Sequence, residues 1–301
     1  MNNPILIYQV QAFTDGKLGG SPTGVILQAD RVNESQMQWI ATTLNASHTA
    51  FVTAAEGQDC DINIRFFTPG GEIKNCGHAT IATHFLLAMK QGTSQDYAAR
   101  QKTQTGIQDV QICYQAGSIS VMFEQNEIIL SDVENDIVQE LLALFDLSSS
   151  DLLEQYPIRL ASPGANRFLL PLKSQETLAE LKPTFPAMRT LCKRTKSIGC
   201  FAFTLNGSDN KWEAWGRMFA PMIGVNEDIV NGNSSGCLGA YLMRLPATGH
   251  DDNALTLTVF QGHGFGLPGK VTVKAIKNGG QIKTFVGGTA MVTGETTLDI
   301  K

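Results

Sequence analysis

The sequence predicts an α+β protein built from two similar halves, each a curved, mostly antiparallel, β-barrel-like sheet around a central helix. Short strand patterns run along most of the chain, whereas only two helix patterns are strongly apolar, which argues against a parallel series of β–α–β units. A strand–turn–helix pattern also occurs twice, about half the chain apart, as in an internal repeat. With 301 residues, the chain is long enough for two domains of ordinary size.

The first copy of the repeated pattern begins with a strand at 62–69, in which apolar and polar residues alternate. Gly70-Gly71 ends this strand, and Cys76-Gly77-His78 opens a helix. Apolar residues recur in that helix at intervals of four and form one face. These residues are Ile81, Phe85 and Met89.

The second copy lies in the other half of the chain. The stretch 217–221 repeats the Arg-x-Phe-x-Pro pattern of 65–69, and the small-residue stretch 232–236 opens a second helix. The arginine precedes the turn glycine by 12 residues in the first copy (65 to 77) and by 15 in the second (217 to 232). The alternative is two unrelated strand–turn–helix corners, which are common in chains of this class.

The starts of the two predicted helices are candidate anion sites. The amides of 77–79 and 232–234 have no partner within their helices, and the helix dipole favours negative charge there. If the halves face each other, both helix ends point into one cleft, with His78 on one side and Asp228 on the other. A substrate carboxylate would bind there, beside an imidazole that can act as acid or base.

The segments around the repeat also have recognisable patterns. Asn33 and Gln36 form a capping box before a helix. His48 lies at a loop-to-strand junction, where catalytic side chains often project. Residues 92–109 are ambiguous between strand and loop. Further strands are predicted at 5–10, 25–27, 50–52, 110–114, 118–123, 168–172, 200–203, 255–259, 271–273 and 282–286, and further helices at 137–145, 175–181 and 187–194.

Composition and charge exclude several classes of protein. A hydrophobic content of 43% with 17% charged residues is typical of a globular protein, and the net charge of −5 offers no general attraction to nucleic acid or an anionic membrane. No stretch approaches the ~20 apolar residues of a membrane span, and the first residues lack the pattern of a secretion signal. Six cysteines without a Cys-x-x-Cys pair indicate a reduced, cytoplasmic protein.

Several motifs keep a fixed order from residue 10 to near the C-terminus. They are Val10-Gln11-Ala12-Phe13-Thr14, Gly20-Ser21-Pro22-Thr23-Gly24-Val25, Ser47-His48-Thr49-Ala50-Phe51-Val52, Arg65-Phe66-Phe67-Thr68-Pro69, Cys76-Gly77-His78-Ala79-Thr80, the stretch 217–221, Glu227-Asp228 with Gly232, and Gln261-Gly262 with Gly266. Together they resemble the PhzF-like family of phenazine-biosynthesis-type isomerases, which share the diaminopimelate epimerase fold. The Cys-Gly-His-Ala-Thr corner is the most specific part of the resemblance.

The resemblance implies two pseudo-symmetric domains with an active-site cleft between them. We expect 1–116 plus about 285–301 to form the first half and 117–284 the second. The resemblance also implies proton transfer between carbon atoms of a small carboxylate-bearing substrate, without a metal or any other cofactor. The sequence leaves open whether the protein forms a homodimer. We expect no nucleic-acid or membrane partner.

The catalytic positions of the family map onto this sequence residue by residue. The family histidine and the second-half aspartate match His78 and Asp228, whereas the usual glutamate is His48 here and the usual serine is Asn233. The resemblance therefore implies His48, His78 and Asp228 as catalytic residues. The substrate-binding residues expected at the two helix starts are Gly77, Ala79, Gly232, Asn233 and Ser234.

Histidine in place of glutamate leaves three interpretations of His48. A neutral imidazole has a reference pKa of about 6.5, so His48 can serve as the base. It reaches two proton sites only if the ring turns or its tautomer switches, whereas a carboxylate has two oxygens. Alternatively, His48 binds a substrate carboxylate as imidazolium. In the third interpretation catalysis is lost, and the protein only binds a small acid or has a regulatory role.

Other polar residues have competing interpretations. Cys76 occupies one of the two thiol positions of the related two-cysteine racemases, but the second position is Asn231, so we reject that mechanism and expect Cys76 to be a small buried filler. Arg65 and Arg217 either contact the substrate or form ion pairs. His84 is expected to be a hydrogen-bonded helix residue.

Overall fold

The protein was analysed as a computed structural model, which describes residues 4–16, 19–44, 46–55, 57–92, 94–208, 211–245 and 253–299. Contacts between residues divide the chain into two compact units. The first unit is Met1–Glu124 with Gly287–Lys301, and the second is Gln125–Val286. Within the described ranges, no helix has the length and apolar character needed to cross a membrane.

The described residues form helices and strands close to the predicted segments. The strands are β1 (Ile5–Ala12), β2 (Ser21–Ile26), β3 (His48–Ala54), β4 (Ile62–Thr68), β5 (Gly71–Ile73), β6 (Tyr97–Thr103), β7 (Gly106–Gln115), β8 (Ser118–Glu124), β9 (Ile129–Asp132), β10 (Arg159–Ser162), β11 (Asn166–Pro171), β12 (Ser197–Ser208), β13 (Lys211–Phe219), β14 (Glu227–Asp228), β15 (Ala254–Gln261), β16 (Gly269–Asn278), β17 (Gln281–Gly288) and β18 (Ala290–Leu298). The α-helices are α1 (Glu34–Leu44), α2 (Gly77–Gln91), α3 (Asn135–Leu144), α4 (Gln175–Glu180), α5 (Phe185–Thr195) and α6 (Gly232–Arg244).

The first unit is a mostly antiparallel sheet curved around α2. Antiparallel pairs join β18 to β1, β1 to β2, β3 to β4, β6 to β7 and β7 to β8. Two parallel pairs complete the sheet: β2 with β3, which α1 connects, and β4 with β6, which α2 connects. Helix α2 contacts β18 and β1 near one end of this run and β7 and β8 at the other, so the sheet must bend around the helix.

The second unit repeats this order of strands. Antiparallel pairs join β10 to β11, β12 to β13 and β15 to β16. The parallel pairs are again two: β11 with β12, connected through α4 and α5, and β13 with β15, connected through α6. The strand–turn–helix motifs found in the sequence therefore occupy equivalent places in two copies of one topology, and the predicted repeat is confirmed.

The predicted boundary between 116 and 117 lies within the hairpin of β7 and β8. Gln115 pairs with Ser118 across that hairpin, and the two strands stay paired as far as Val110 and Phe123. Strand β8 therefore belongs with the first unit, and the division of the chain falls after Glu124.

The repeat extends to side chains. Phe67 pairs with Glu72 where β4 meets β5, and Phe219 pairs with Glu227 where β13 meets β14. Arg65 binds Glu72 through Nε and Nη2, both at 2.7 Å, and Arg217 binds Glu227 through the same atoms, both at 2.8 Å. Each guanidinium also lies over the phenylalanine of its own motif, Phe67 or Phe219. Both arginines thus form the ion pairs that were one of their two interpretations.

Arg217 donates hydrogen bonds to the backbone as well as to Glu227. Its Nη1 donates to the carbonyl oxygens of Leu178, Ala179 and Leu181 at 2.9, 3.0 and 3.1 Å, at the C-terminal end of α4. In the first unit, the additional partner of Arg65 is the exposed carboxylate of Glu34 at 2.8 Å. The Arg217 side chain is 21% exposed and that of Arg65 is 33% exposed. If the arginine is removed, water therefore reaches its former partners less easily at position 217 than at position 65.

Each sheet also carries helices on its outer face. The predicted capping box is present, since Asn33 N–H donates to Gln36 Oε1 at 3.1 Å and Gln36 N–H donates to Asn33 Oδ1 at 3.0 Å. The capped helix α1 buries Met37 and Ile40 against Phe51 of β3. In the second unit, α3 and α5 form a larger apolar cluster with β11 and β12.

We predict that Arg217→Met destabilises the protein more than Arg65→Met. Removing Arg217 leaves Glu227 and three carbonyl oxygens without their donor, at a cost of about 3 kcal/mol or more in the free energy of unfolding. The matched Arg65→Met should cost about 1–2 kcal/mol, because water replaces the arginine more readily as the hydrogen-bond partner of Glu34 and Glu72. Urea unfolding of both variants measures the difference, and equal losses would contradict the prediction.

Candidate active site

The first group of site residues lies where α2 begins. Cys76 is the N-cap, with φ −148° and ψ 111°, and its side chain does not cap the helix. The first helical bond runs from Thr80 N–H to the Cys76 carbonyl at 3.0 Å. The amides of Gly77, His78 and Ala79 therefore have no partner within the helix, as predicted, and the positive end of the dipole lies there.

His48 reaches this helix start from the neighbouring sheet. It is the first residue of β3, held in parallel register against Thr23 of β2. Its Nδ1 lies 2.7 Å from His78 Nε2, with the two rings edge to face at a centroid distance of 4.2 Å. Cys76 Sγ lies 3.5 Å from the same Nε2. Cys76 is buried, as expected, but it also contacts the catalytic candidate His78.

Burial keeps both histidines neutral near pH 7. Desolvation lowers the pKa of His48 to about 4. The pKa of His78 lies well below its usual value, first because of desolvation and second because of the nearby His48. Between two neutral rings one nitrogen must donate and the other accept, so a single proton bridges Nδ1 of His48 and Nε2 of His78.

The second group lies where α6 begins. The N-cap Asn231 accepts a hydrogen bond from Ser234 N–H at 2.8 Å and donates through Nδ2 to Asp228 Oδ2 at 2.8 Å. Gln261 fixes the cap in turn, since its Oε1 accepts from Asn231 N–H at 2.9 Å and its Nε2 donates to Ser235 Oγ at 2.8 Å. This helix start therefore has a side-chain cap, whereas that of α2 does not.

Asp228 is a carboxyl with a raised pKa. Desolvation raises its pKa to about 6, against the opposing effects of the Asn231 hydrogen bond, the backbone amides of Ile229 and Val230, and the charge of Arg167. Near neutral pH this carboxyl therefore titrates, whereas an ordinary aspartate is fully ionised.

Sequence reasoning did not identify Arg167. This side chain is only 2% exposed, and its Nη1 donates to Ser234 Oγ at 3.2 Å while Nη2 donates to the Ala165 carbonyl at 2.9 Å. Its Nε is buried without a hydrogen-bond partner in the structure. Desolvation lowers the pKa of Arg167. The only signal in the sequence was a cation directly before the apolar residues of the strand predicted at 168–172.

The structure brings the predicted residues together in two sets. His48, His78, Gly77 and Ala79 share the start of α2, and the residues of the other set share the start of α6. The second set consists of Asp228, Gly232, Asn233 and Ser234. That the two sets meet in one cleft remains a prediction.

The members of the second set differ in what they can offer a ligand. Ser234 is fully buried, and its amide and hydroxyl already bind Asn231, Arg167 and Met218. Asn233 is exposed, with its Oδ1 accepting from Gln125 Nε2 at 2.8 Å. The predicted substrate contact of Ser234 therefore lacks an available donor, because both its polar groups are already engaged within the unit.

Comparison with known proteins identifies the family. The family model described as phenazine biosynthesis-like protein, PhzC–PhzF, matches residues 10–296. The chain belongs to the PhzC–PhzF family. This PhzF-family protein is 34% identical over 296 residues to an uncharacterized isomerase of Clostridium acetobutylicum, covering 97% of each chain. It is 28% identical over 292 residues to the trans-2,3-dihydro-3-hydroxyanthranilate isomerase of Pseudomonas chlororaphis, covering 96% of this chain and 97% of that protein. These names indicate an isomerase.

Solved structures confirm the predicted fold class. The crystal structure of the PhzF-family phenazine biosynthesis protein of Bacillus anthracis has a TM-score of 0.88 at 28% identity, covering 99% of this chain and 100% of that one. A probable proline racemase from Agrobacterium radiobacter has a TM-score of 0.64 at 10% identity, covering 99% of this chain and 93% of that one, and shares the fold alone. The PhzF-family protein thus has the two-fold repeated epimerase-like architecture expected from its sequence.

We predict that Asp228→Asn gains stability relative to the wild type as the pH rises. The folded-state pKa of Asp228, about 6, exceeds the usual 3.8, so the protonated carboxyl stabilises the fold below about pH 4 and this contribution is lost as the pH passes 6. The whole shift corresponds to about 2–3 kcal/mol.

Urea unfolding at several values between about pH 4 and pH 7 measures the difference between the two proteins. The same substitution at the exposed Asp59 controls for loss of a surface charge. A difference between Asp228→Asn and the wild type that stays constant with pH would contradict the raised pKa.

Proposed function

We propose that this protein is a cofactor-independent isomerase that moves a proton between carbon atoms of a small carboxylic acid. The family indicates an isomerase, and the contact between His48 and His78 at the uncapped start of α2 carries the finer proposal. The amides of Gly77 and Ala79 would bind the substrate carboxylate, because that helix start offers donors and a positive dipole but no side-chain cap.

The histidine pair supplies an acceptor for the Nδ1 proton of His48 while that ring takes up a proton from the substrate. With a proton on Nδ1, His48 accepts the substrate C–H proton at its Nε2. As it does so, its Nδ1 proton passes across the 2.7 Å contact to His78 Nε2. His48 stays neutral in this step, and His78 carries the positive charge as an imidazolium. Reversing both transfers returns the proton from the same Nε2, so the carbon that receives it must also lie within reach of that atom. The pair would therefore let His48 hold the substrate proton without becoming charged itself.

Asp228 and the start of α6 would complete substrate recognition. The family resemblance assigns Asp228 to the site, and its raised pKa makes it a donor or an acceptor near neutral pH. The backbone amides of Gly232 and Asn233 would bind the substrate there, since the amide of Ser234 already donates to the Asn231 side chain. The carboxyl would polarise or orient the substrate while the histidine pair carries the proton.

The first substrate to test is trans-2,3-dihydro-3-hydroxyanthranilate, the substrate named for the relative from Pseudomonas chlororaphis. We expect the wild type to catalyse its isomerisation, or that of another small unsaturated carboxylic acid, with incorporation of deuterium from D2O. We expect His48→Ala to lower the rate by about 10²–10⁴-fold, as for loss of a general base. Nuclear magnetic resonance follows both isomerisation and exchange.

Three variants make this test specific. His263→Ala, at an exposed histidine of the second unit, is the control and should retain the wild-type rate. His78→Gln should slow exchange while leaving substrate affinity nearly unchanged, because it removes the acceptor of the His48 Nδ1 proton and keeps the helix amides. The mechanism is wrong if His48→Ala exchanges as fast as the wild type with every acid that the wild type accepts.

A second candidate function is a protein that binds a small acid without converting it. The observation that favours it is His48 in place of the family glutamate. The variant His48→Glu separates the two functions. Activity that appears only in His48→Glu would show that the natural protein lacks the chemistry, whereas activity in the wild type supports the histidine pair.

A further inference from the structure

Three metal-ligating side chains converge at the start of α2. His48, Cys76 and His78 each offer one ligand atom, and these atoms all lie within 4.8 Å of one another. Nδ1 of His48 lies 2.7 Å from Nε2 of His78, and Sγ of Cys76 lies 3.5 Å from that same Nε2. Among the described residues, no other three histidine, cysteine or acidic side chains form such a group.

The spacing is close to that of a tetrahedral metal site. Zinc bonds of about 2.0–2.1 Å to nitrogen and about 2.3 Å to sulfur place two nitrogens about 3.4 Å apart and a nitrogen and a sulfur about 3.6 Å apart. The distance from Sγ to Nε2, 3.5 Å, already fits. The distance between the two nitrogens, 2.7 Å, must widen by about 0.7 Å on binding. Sγ of Cys76 and the ligand nitrogen of His48 lie within 4.8 Å of each other and must also come to about 3.6 Å.

We propose that His48, Cys76 and His78 form a binding site for a thiophilic transition-metal ion, with Zn²⁺ as the divalent ion that fits best. Two imidazoles and one thiolate suit zinc, whereas magnesium and calcium prefer oxygen ligands. All three residues lie in the first unit, so the site needs nothing from the second. It departs from the expectation of a metal-free centre, and histidine in place of the family glutamate is what completes the ligand set.

Binding changes the protonation of the group in a defined way. The Cys76 thiol loses its proton to solvent, and the proton between the two rings moves to a ring nitrogen that does not face the metal. One coordination position stays open for water or a ligand, as in zinc sites with three protein ligands. Because the metal occupies Nδ1 of His48 and Nε2 of His78, it blocks the proton transfer proposed above.

Cobalt(II) is the probe for this site, since it replaces zinc and absorbs light. We expect the chelator-treated wild-type protein to bind one Co²⁺ with the visible absorption of a tetrahedral complex and a near-ultraviolet band from thiolate-to-cobalt charge transfer. Zn²⁺ should displace it. Cys76→Ser should abolish the charge-transfer band, and His48→Ala should weaken binding at least tenfold.

The matched controls are Cys113→Ser, which removes a partly exposed thiol on β7 of the same unit, and His263→Ala. Both should bind Co²⁺ like the wild type. Absence of the spectrum in the wild type, or its persistence in Cys76→Ser, would overturn the proposal.

X-ray absorption of the zinc-loaded wild type tests the ligand set without any variant. One sulfur and two imidazoles around the zinc are expected, and a shell of nitrogen and oxygen alone would contradict the site. Isomerase activity is measured separately on chelator-treated protein, so a failure of the proposed reaction leaves the metal result intact. Added Zn²⁺ should inhibit any such activity, and full activity with the site loaded would show that the metal lies elsewhere.

Discussion

Burying most of a helix inside a curved sheet is the constraint on which this structure depends. Helices α2 and α6 are buried along most of their length, and the first turn of each has amides that the helix itself cannot pair. At α6 the chain itself pairs one of these groups, because the Asn231 side chain accepts from the Ser234 amide and Gln261 holds Asn231 in place. At α2 the N-cap is Cys76, whose side chain leaves the first amides available. The two repeats share a scaffold but differ at the starts of their central helices.

Desolvation also shifts the pKa values of the titratable groups at both helix starts. It lowers the pKa of His48 and His78 and raises that of Asp228, and all three shifts favour the neutral form of the group. The charged side chain beside the second helix start is Arg167, which lies among the polar atoms of α6. Under the proposed function, a carboxylate substrate would meet neutral imidazoles and the positive end of the helix dipole at the start of α2.

The arginine–glutamate pairs show how the duplicated scaffold is kept in register. In each unit the same two guanidinium nitrogens bind the carboxylate that follows the turn, and the guanidinium lies over a phenylalanine of the motif. The pair fixes the short strand that leads to the buried helix, so it positions the site without belonging to it. At the helix starts that follow these pairs the sequences diverge. The first repeat has Cys76 and His78 there, whereas the second has Asp228 and Asn231.

Local patterns in the sequence determined the elements and their duplication. The capping box of Asn33 and Gln36, the helix start at Gly77 and the two Arg-x-Phe-x-Pro strands depend on neighbours a few residues apart, so periodicity and turn chemistry were enough to predict them. Only the tertiary structure decided that His48 touches His78, that Arg167 lies buried beside Ser234, and that the amide of Ser234 is already taken. These contacts join residues 30, 67 and 3 positions apart. The first two depend on which strands pair and in what register, and the third depends on the cap that Asn231 adopts once α6 is buried.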